Sequence, residues 1–405
     1  MSAKPGQNQR VVSGMRPTGQ LHLGNYHGAL ANWVELQYRY ECYFFVADWH
    51  ALTTDYENTA DLKSNTNEVL IDWLAAGLNP SACTIFVQSR VPEHAELHLI
   101  LSMVTPVSWL ERVPTYKDQM EQLKDKDLST YGFLGYPLLQ SADILMYRPE
   151  YVPVGEDQVA HVEITREIAR RFNNIYGRET DFEEKVEGAV KRLGARNAAQ
   201  YDELRRKFQE QGDADALARA RAMVESGARL TVADRERLLG YLEGGGRAIL
   251  PEPSALLTRT PKVPGLDGRK MSKSYGNTIG LREDPESVQK KLKAMQTDPA
   301  RVRRIDPGDP DKCPVWDLHK IYSDQKTKEW VQAGCRSAGI GCLDCKKPLI
   351  ESVLKELEVI RQRAREYEKN SDLVRGIVAE GCERARDAAR ATMSEVREAV
   401  RLEYR

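Results

Sequence analysis

Two lysines three positions apart, Lys270 and Lys273, lie in the run Lys270-Met271-Ser272-Lys273-Ser274-Tyr275-Gly276-Asn277. Ammonium groups on long stems, separated by small hydroxyl residues, can follow the negative charge that develops on a departing pyrophosphate. Taken alone, such a run is also what a solvated surface loop looks like. A second run, Pro17-Thr18-Gly19-Gln20-Leu21-His22-Leu23-Gly24-Asn25, places small residues and an imidazole where a short apolar strand turns into a helix. Gly19 and Gly24 leave room for a nucleotide to approach the backbone, and the N-terminus of the following helix favours phosphate. By itself that pattern is weak, because glycines serve many strand-to-helix turns on steric grounds alone.

The seven cysteines form a third feature. Cys42, Cys83 and Cys382 are isolated, whereas Cys313, Cys335, Cys342 and Cys345 fall within 33 residues, at intervals of 21, 6 and 2. Four thiolates gathered in this way can hold Zn²⁺ or an iron–sulfur cluster. A zinc ribbon normally carries two C-x-x-C pairs, and only Cys342 with Cys345 has that form. Cysteine is rare elsewhere in the chain, so four unrelated buried thiols are a poor account.

These residues need a scaffold. The spacing predicts a strand at Val11–Val12, a helix over 23–38, a strand in the apolar run 42–48, a helix over 61–78 and a strand at 83–87. Strand and helix in alternation specify a parallel sheet covered by helices, in which ligands bind beyond the carboxyl ends of the strands. Those ends carry Gly14-Met15-Arg16 and Asp48-Trp49-His50. The segment 178–250 is rich in Arg, Glu, Asp and Ala and reads as a solvated helical insertion. Residues 251–284 return to the α/β part with the lysine run, and 285–405 are patterned as helix almost throughout. The expected class is therefore α/β. A Rossmann-like domain (1–177 and 251–284) carries the helical insertion 178–250 and is followed by an all-helical domain, 285–405.

Length and composition set bounds on this. The 405 residues carry 59 Lys+Arg against 60 Asp+Glu, a net charge of 59 − 60 = −1, with 41% hydrophobic residues. That is a globular composition, and a total charge near zero neither announces nor excludes a nucleic-acid partner. Arg301, Arg303 and Arg304, with Lys346 and Lys347, make one region locally basic. There is no apolar run long enough to cross a bilayer and no secretory signal at the start, so a cytoplasmic protein is expected.

The two runs together resemble the signatures of class I aminoacyl-tRNA synthetases, His22-Leu23-Gly24-Asn25 standing where the first signature ends. The segments SGMRPTGQLHLGNYHGAL, VADWHALTT, VPTYKD, GYPLLQSADILMY and VPVGEDQVAHVEITREIARRFN narrow this to a resemblance to bacterial tryptophanyl-tRNA synthetases. It covers residues 10–176 and resumes from 261 to 404. The four cysteines and their neighbours (DPARVRRIDPG, CPVW, GCLDCKK) resemble a subgroup with a [4Fe–4S] cluster near the anticodon-binding surface; structural Zn²⁺ is the alternative.

The resemblance implies roles residue by residue. Arg16, Pro17, Thr18, Gly24 and Asn25 would line the ATP site, and Gly155, Glu156 and Asp157 would contact ribose and adenine. Lys270, Met271, Ser272, Lys273 and Ser274 would close over the phosphates, with Lys117 reaching them too, and Lys117, Lys270 and Lys273 would be the catalytic residues. Asp143 would accept the indole N–H, with Tyr136, Gln140, Gln158 and His50 around the amino acid. The implied partners are L-tryptophan, ATP with Mg²⁺, tRNA(Trp) at Arg301, Arg303 and Arg304, and a second copy of the chain in a homodimer. Gln140 departs from the pattern, since many bacterial relatives carry Met there and Tyr-x3-Gln-x2-Asp also occurs in some tyrosyl-tRNA synthetases. A tyrosine-specific ligase is thus one alternative and a non-catalytic tRNA-binding relative another.

Overall fold

Val11 and Val12 are fully buried on β1 (Arg10–Met15), the middle strand of a five-stranded sheet. The other strands are β2 (Glu41–Val46), β3 (Cys83–Val87), β4 (Tyr151–Val154) and β5 (Ser254–Leu257), in the order β3-β2-β1-β4-β5. β2 and β3 run parallel from Cys42 opposite Cys83 to Val46 opposite Val87. β1 and β4 are parallel with Val11 opposite Tyr151. β3 is buried throughout and β2 everywhere but at Glu41, the signature of a sheet covered on both faces. This is the parallel sheet that the strand–helix alternation predicts. The computed structural model describes residues 9–403 except 115, 118, 119, 121–127, 156, 157, 178–180, 243, 244 and 258–262.

Two compact units divide the chain. The first comprises Gly14–Gln88 and Leu257–Cys382. The helix Leu62–Ala76 buries every residue from Val69 to Ala76. Its Trp73 meets Trp33 edge-on at 5.2 Å, and Trp33 stacks on Phe44 of β2 at 4.6 Å. Gly77, at φ +117, stops that helix in the left-handed conformation that glycine tolerates. At the end of β1 a Cβ on Gly14 would stand 2.4 Å from the Phe45 ring, so only glycine fits where the strand feeds the first signature turn. In the second half of this unit Asp284 caps the helix Pro285–Ala294, accepting the Ser287 N–H. The long helix Cys342–Lys369 buries Leu349, Val353, Leu357, Ile360 and Ala364 at three- and four-residue intervals.

The second unit comprises Gln9–Ser13, Ser89–Leu256 and Glu383–Arg405. Helices Glu93–Ser102, Tyr136–Met146 and Val159–Tyr176 pack beside one another in it. The segment expected to be a solvated insertion forms four helices: Phe182–Arg192, Ala195–Gln211, Ala214–Glu225 and Val232–Leu242. They enclose a core of their own that includes Val186, Tyr201, Leu204, Val224, Leu238 and Leu242. The base of this bundle is pinned where Arg247 N–H donates to Gly177 O at 2.8 Å. Asn173 is bonded to both the N–H and the C=O of Leu250. Arg148 and Arg247 each bridge Glu236 and Glu395, closing a ring of alternating charge.

Candidate active site

The first signature and the lysine run come together in the first unit. Segments 21–23 and 279–281 pair antiparallel: Leu23 N–H donates to Ile279 O at 3.0 Å and Leu281 N–H to Leu21 O at 2.9 Å. Lys273 Nζ donates to Thr18 O at 2.5 Å. Gly19 adopts φ +84, and a Cβ there would meet Asn65 Oδ1 at 3.0 Å and Lys273 Nζ at 3.5 Å. Pro17 is buried, Thr18 exposed, and Arg16 half-buried with Nη1 3.4 Å from Thr54 Oγ1. Asn25 Oδ1 accepts the His22 N–H at 3.2 Å and so holds the turn before its helix.

The lysine loop is braced from below. Asn277, itself buried, accepts the Ser272 N–H at 2.8 Å and donates to Asp267 Oδ1 at 2.7 Å and Lys270 O at 3.2 Å. Met271 is buried, and a Cβ on Gly24 would lie 3.3 Å from its Cβ, so the two signatures touch there. Lys270 and Lys273 are exposed, and Ser272 Oγ lies 2.9 Å from Ser274 Oγ. Loss of water around Lys273 pulls its pKa below the ordinary lysine value, and the charge of Asp72 opposes that shift. These are donors gathered about a glycine-lined turn, an arrangement suited to a polyphosphate.

His22 is 7% exposed, and its Nδ1 is buried with no hydrogen-bond partner. Burial first, and then the Lys273 charge, bring its pKa down to about 4, so the ring is neutral at pH 7. A folded-state value below the unfolded one means that acid favours the unfolded chain, which takes up the proton more readily. The stabilisation is complete above the unfolded pKa near 6.5 and is lost as pH falls toward 4. We expect the wild type to lose roughly 3 kcal/mol across that window relative to His22→Asn. Denaturant melts at several pH values check this, and parallel curves for the two proteins would refute it.

In the second unit Asp143 is 1% exposed and Oδ1 lies 2.6 Å from His94 Nδ1, while His94 Nε2 lies 2.7 Å from Tyr147 Oη. His94 and Tyr147 are fully buried. His94 was not among the residues singled out from the sequence. Tyr136 is buried with its ring 5.5 Å from Phe133 and 6.0 Å from His161, and Tyr116 stacks on Phe133 at 5.2 Å. Lys117, next to Tyr116, is exposed. Gln140 is half-buried on the helix that carries Asp143. Gln158 starts the helix Val159–Tyr176 and donates its N–H to Gly155 O at 3.0 Å. Glu156 and Asp157 lie outside the described residues. Asp143 and Tyr136 are both buried on the helix Tyr136–Met146; His50 belongs to the first unit, where its carbonyl accepts Thr53 Oγ1.

Cys313, Cys335, Cys342 and Cys345 are half-buried in the first unit. Burial pushes the Cys345 thiol up to about 12, and the charges of Cys313, Cys335 and Cys342 add to that shift. A Cβ on Gly308 would stand 2.7 Å from Cys335 Sγ, a space that only glycine leaves open. Cys345 Sγ lies 3.4 Å from His319 Nε2. Thiolates are soft donors that suit a thiophilic metal or cluster, but among the described residues no three His, Cys, Asp or Glu side chains stand where they could hold a metal ion. Arg301 is buried, its Nη2 donating to Arg304 O and Ile340 O. Arg303 and Arg304 are exposed, between Val302 at 84% and Ile305 at 76%.

The chain is 63% identical over 396 residues to a tryptophan–tRNA ligase of Ralstonia nicotianae, covering 98% of this chain and 99% of that one. It is 44% identical over 397 residues to the tryptophan–tRNA ligase of Thermotoga maritima, covering 98% and 100%. A crystal structure of tryptophanyl-tRNA synthetase from Campylobacter jejuni, complexed with ADP and tryptophan, superposes with a TM-score of 0.71 at 28% identity, covering 96% and 99%. The family described as tRNA synthetases class I (W and Y) matches residues 4–190 and 224–358. Residues 191–223, within the helical bundle, fall outside that match. With its glycine turn, its lysine loop and the full-length similarity, this chain belongs to the class I tRNA synthetases of the tryptophan and tyrosine branch.

Proposed function

We propose that the chain is a tryptophan–tRNA ligase. The observation that carries this reading is the Lys273–Thr18 contact, which joins the two phosphate-binding runs in one place. The tryptophan carboxylate attacks the α-phosphorus of ATP in line, the bond to the β-phosphate breaks, and pyrophosphate leaves with Mg²⁺. The terminal ribose 2′-OH of tRNA(Trp) then attacks the carbonyl and AMP departs. Neither step needs a covalent enzyme intermediate, so positioning and charge stabilisation carry the catalysis. Arg16, Pro17, Thr18, Gly24 and Asn25 would hold ATP beneath Lys270–Ser274, with Lys117, Gly155, Glu156 and Asp157 completing the nucleotide contacts.

Asp143 would read the indole N–H, a polar handle on an otherwise apolar side chain. Tyr136, Gln140, Gln158 and His50 would complete the tryptophan site. The test is tryptophan-dependent exchange of labelled pyrophosphate into ATP. Exchange with tryptophan and not tyrosine is expected; exchange with tyrosine alone would overturn the substrate assignment.

Residues 285–405 would bind the anticodon end of tRNA(Trp), Arg303 and Arg304 meeting its phosphates above a loop that Arg301 holds in shape. We assign the four cysteines a [4Fe–4S] cluster that would cross-link the loop of Cys313 to helices Gln325–Arg336 and Cys342–Lys369. Protein purified without oxygen should be brown, carry about four iron and four sulfide per chain, and lose both in Cys342→Ser. A colourless protein with stoichiometric zinc would replace the cluster with a structural zinc. A homodimer would cover the exposed Leu99, Met103 and Val107, which are 56%, 71% and 56% exposed in the second unit. Among the described residues no helix is long and apolar enough to cross a membrane, and a cytoplasmic location fits this reading.

A further inference from the structure

From Val69 to Ala76 the helix Leu62–Ala76 is buried, and every residue in that stretch except Asp72 is apolar. Asp72 has no exposed surface. An ionised carboxylate there is several kcal/mol unfavourable unless well paired. Two donors from outside its own helix meet it: the Leu21 N–H at 2.6 Å and Arg282 Nε at 2.7 Å. Even with these donors, burial raises its pKa to about 6. Arg282 is 6% exposed at its side chain and also bridges Glu68, on the same helix, and Glu368, on the helix Cys342–Lys369. A buried pair of this kind can often be replaced by apolar residues at no loss of stability, so stability is a poor reason for its presence.

Its position supplies a better reason. Leu21 lies between Gly19 and His22 in the first signature, and Arg282 follows the segment 279–281 that leads away from the lysine loop. Those two segments pair antiparallel, Leu281 N–H donating to Leu21 O, and Asp72 takes a donor from each at the end of that pairing. A slip of one residue between them would leave the carboxylate without the Leu21 N–H, inside an apolar helix face. Only two residues separate Leu21 from Thr18, whose carbonyl accepts Lys273 Nζ.

We propose that Asp72, paired with Arg282, is a positioning residue for the ATP half of the reaction, locking the first signature turn in register with the segment that follows the lysine loop. This rests on the reading of those two runs as the ATP site. Asp72 touches no substrate. Its effect should therefore appear in ATP affinity and leave tryptophan affinity alone, a split that a general loosening of the fold would not produce.

The experiment measures ATP binding by calorimetry and the KM for ATP and for tryptophan in pyrophosphate exchange, for the wild type, Asp72→Asn, Arg282→Lys and the double variant Asp72→Leu/Arg282→Met. Asp72→Asn should weaken ATP binding and raise its KM roughly tenfold, with the KM for tryptophan within about twofold of the wild type. Arg282→Lys keeps the charge but loses the fork and should show the same split to a smaller degree. The double variant should melt near the wild-type temperature yet keep the raised KM for ATP. A folded Asp72→Asn with wild-type ATP affinity, or equal rises in both KM values, overturns the proposal. Should Asp72→Asn not fold, Arg282→Lys and the double variant decide by the same criteria. A wild type that binds no ATP would overturn the ATP reading itself, a result that any loss confined to the variants cannot mimic.

Discussion

Asp143→Asn is expected to leave the protein folded and to lower tryptophan-dependent adenylate formation by roughly 10²-fold in kcat/KM, with the KM for ATP unchanged. The substitution preserves shape and removes charge. A carboxylate has about four acceptor sites, and His94 Nδ1 takes one of them at 2.6 Å. With Nδ1–H donated to Asp143, the Nε2 lone pair accepts the Tyr147 hydroxyl at 2.7 Å, a tautomer assigned from the network. The chain Tyr147–His94–Asp143 thereby fixes the orientation of the carboxylate before any indole arrives. The asparagine amide can present an N–H where the indole N–H needs an acceptor, and two donors facing each other in a buried site repel. Asp143→Ala should do worse, because it also removes the acceptor that His94 Nδ1 meets in a buried site, at about 1–3 kcal/mol of stability. His94→Gln should reduce activity less than either, since it disturbs orientation alone. Exchange by Asp143→Asn within about twofold of the wild type would reduce Asp143 to a tie between two helices.

What could be read from the sequence depended on how local the determining interaction is. The lysine loop is set by consecutive residues, and its main brace, Asn277 to Ser272 N–H, spans five positions. The strand candidates at 11–12, 42–48 and 83–87 became β1, β2 and β3, since continuous apolar runs of that length suit a sheet buried on both faces. The run 42–48 is shorter as a strand than as an apolar stretch: β2 stops at Val46 and a helix begins at Asp48. His94 was invisible because its role comes from packing the helix Glu93–Ser102 against Tyr136–Met146, and nothing in EHAELHLIL separates it from His98. Asp72 did leave a signal, a lone charge amid Val69-Leu70-Ile71 and Trp73-Leu74, but its partners lie 51 and 210 residues away. The bundle over 182–242 was read as solvated because its charges are balanced. Its core of Tyr201, Leu204, Ala216, Ala220 and Val224 is spaced at three and four residues within two of its helices, and that spacing was there to be found.

Removal of the lysine side chains should slow the chemistry more than any other change in the first unit. Lys273→Ala is expected to lower kcat for pyrophosphate exchange by roughly 10²–10³-fold, about 3–4 kcal/mol of transition-state stabilisation, with little change in the KM for tryptophan. The Lys273 ammonium rests on Thr18 O at 2.5 Å. That contact is neutral on the acceptor side, and a phosphate oxygen gaining negative charge as the α–β bond breaks is a stronger acceptor. Partial loss of water, which already lowers the Lys273 pKa, makes exchange of one acceptor for the other more favourable, because less hydration is left to give up. The effect should therefore fall on kcat, where charge develops, and not on ground-state binding. Lys273→Arg keeps the charge but offers a planar fork in place of a compact ammonium, so it should recover only part of the rate. Lys270, also exposed, has its carbonyl held by Asn277 and should show a smaller loss when its ammonium is removed. Losses below about threefold for both alanine variants would make the run a structural loop, and the pyrophosphate charge would have to be met elsewhere.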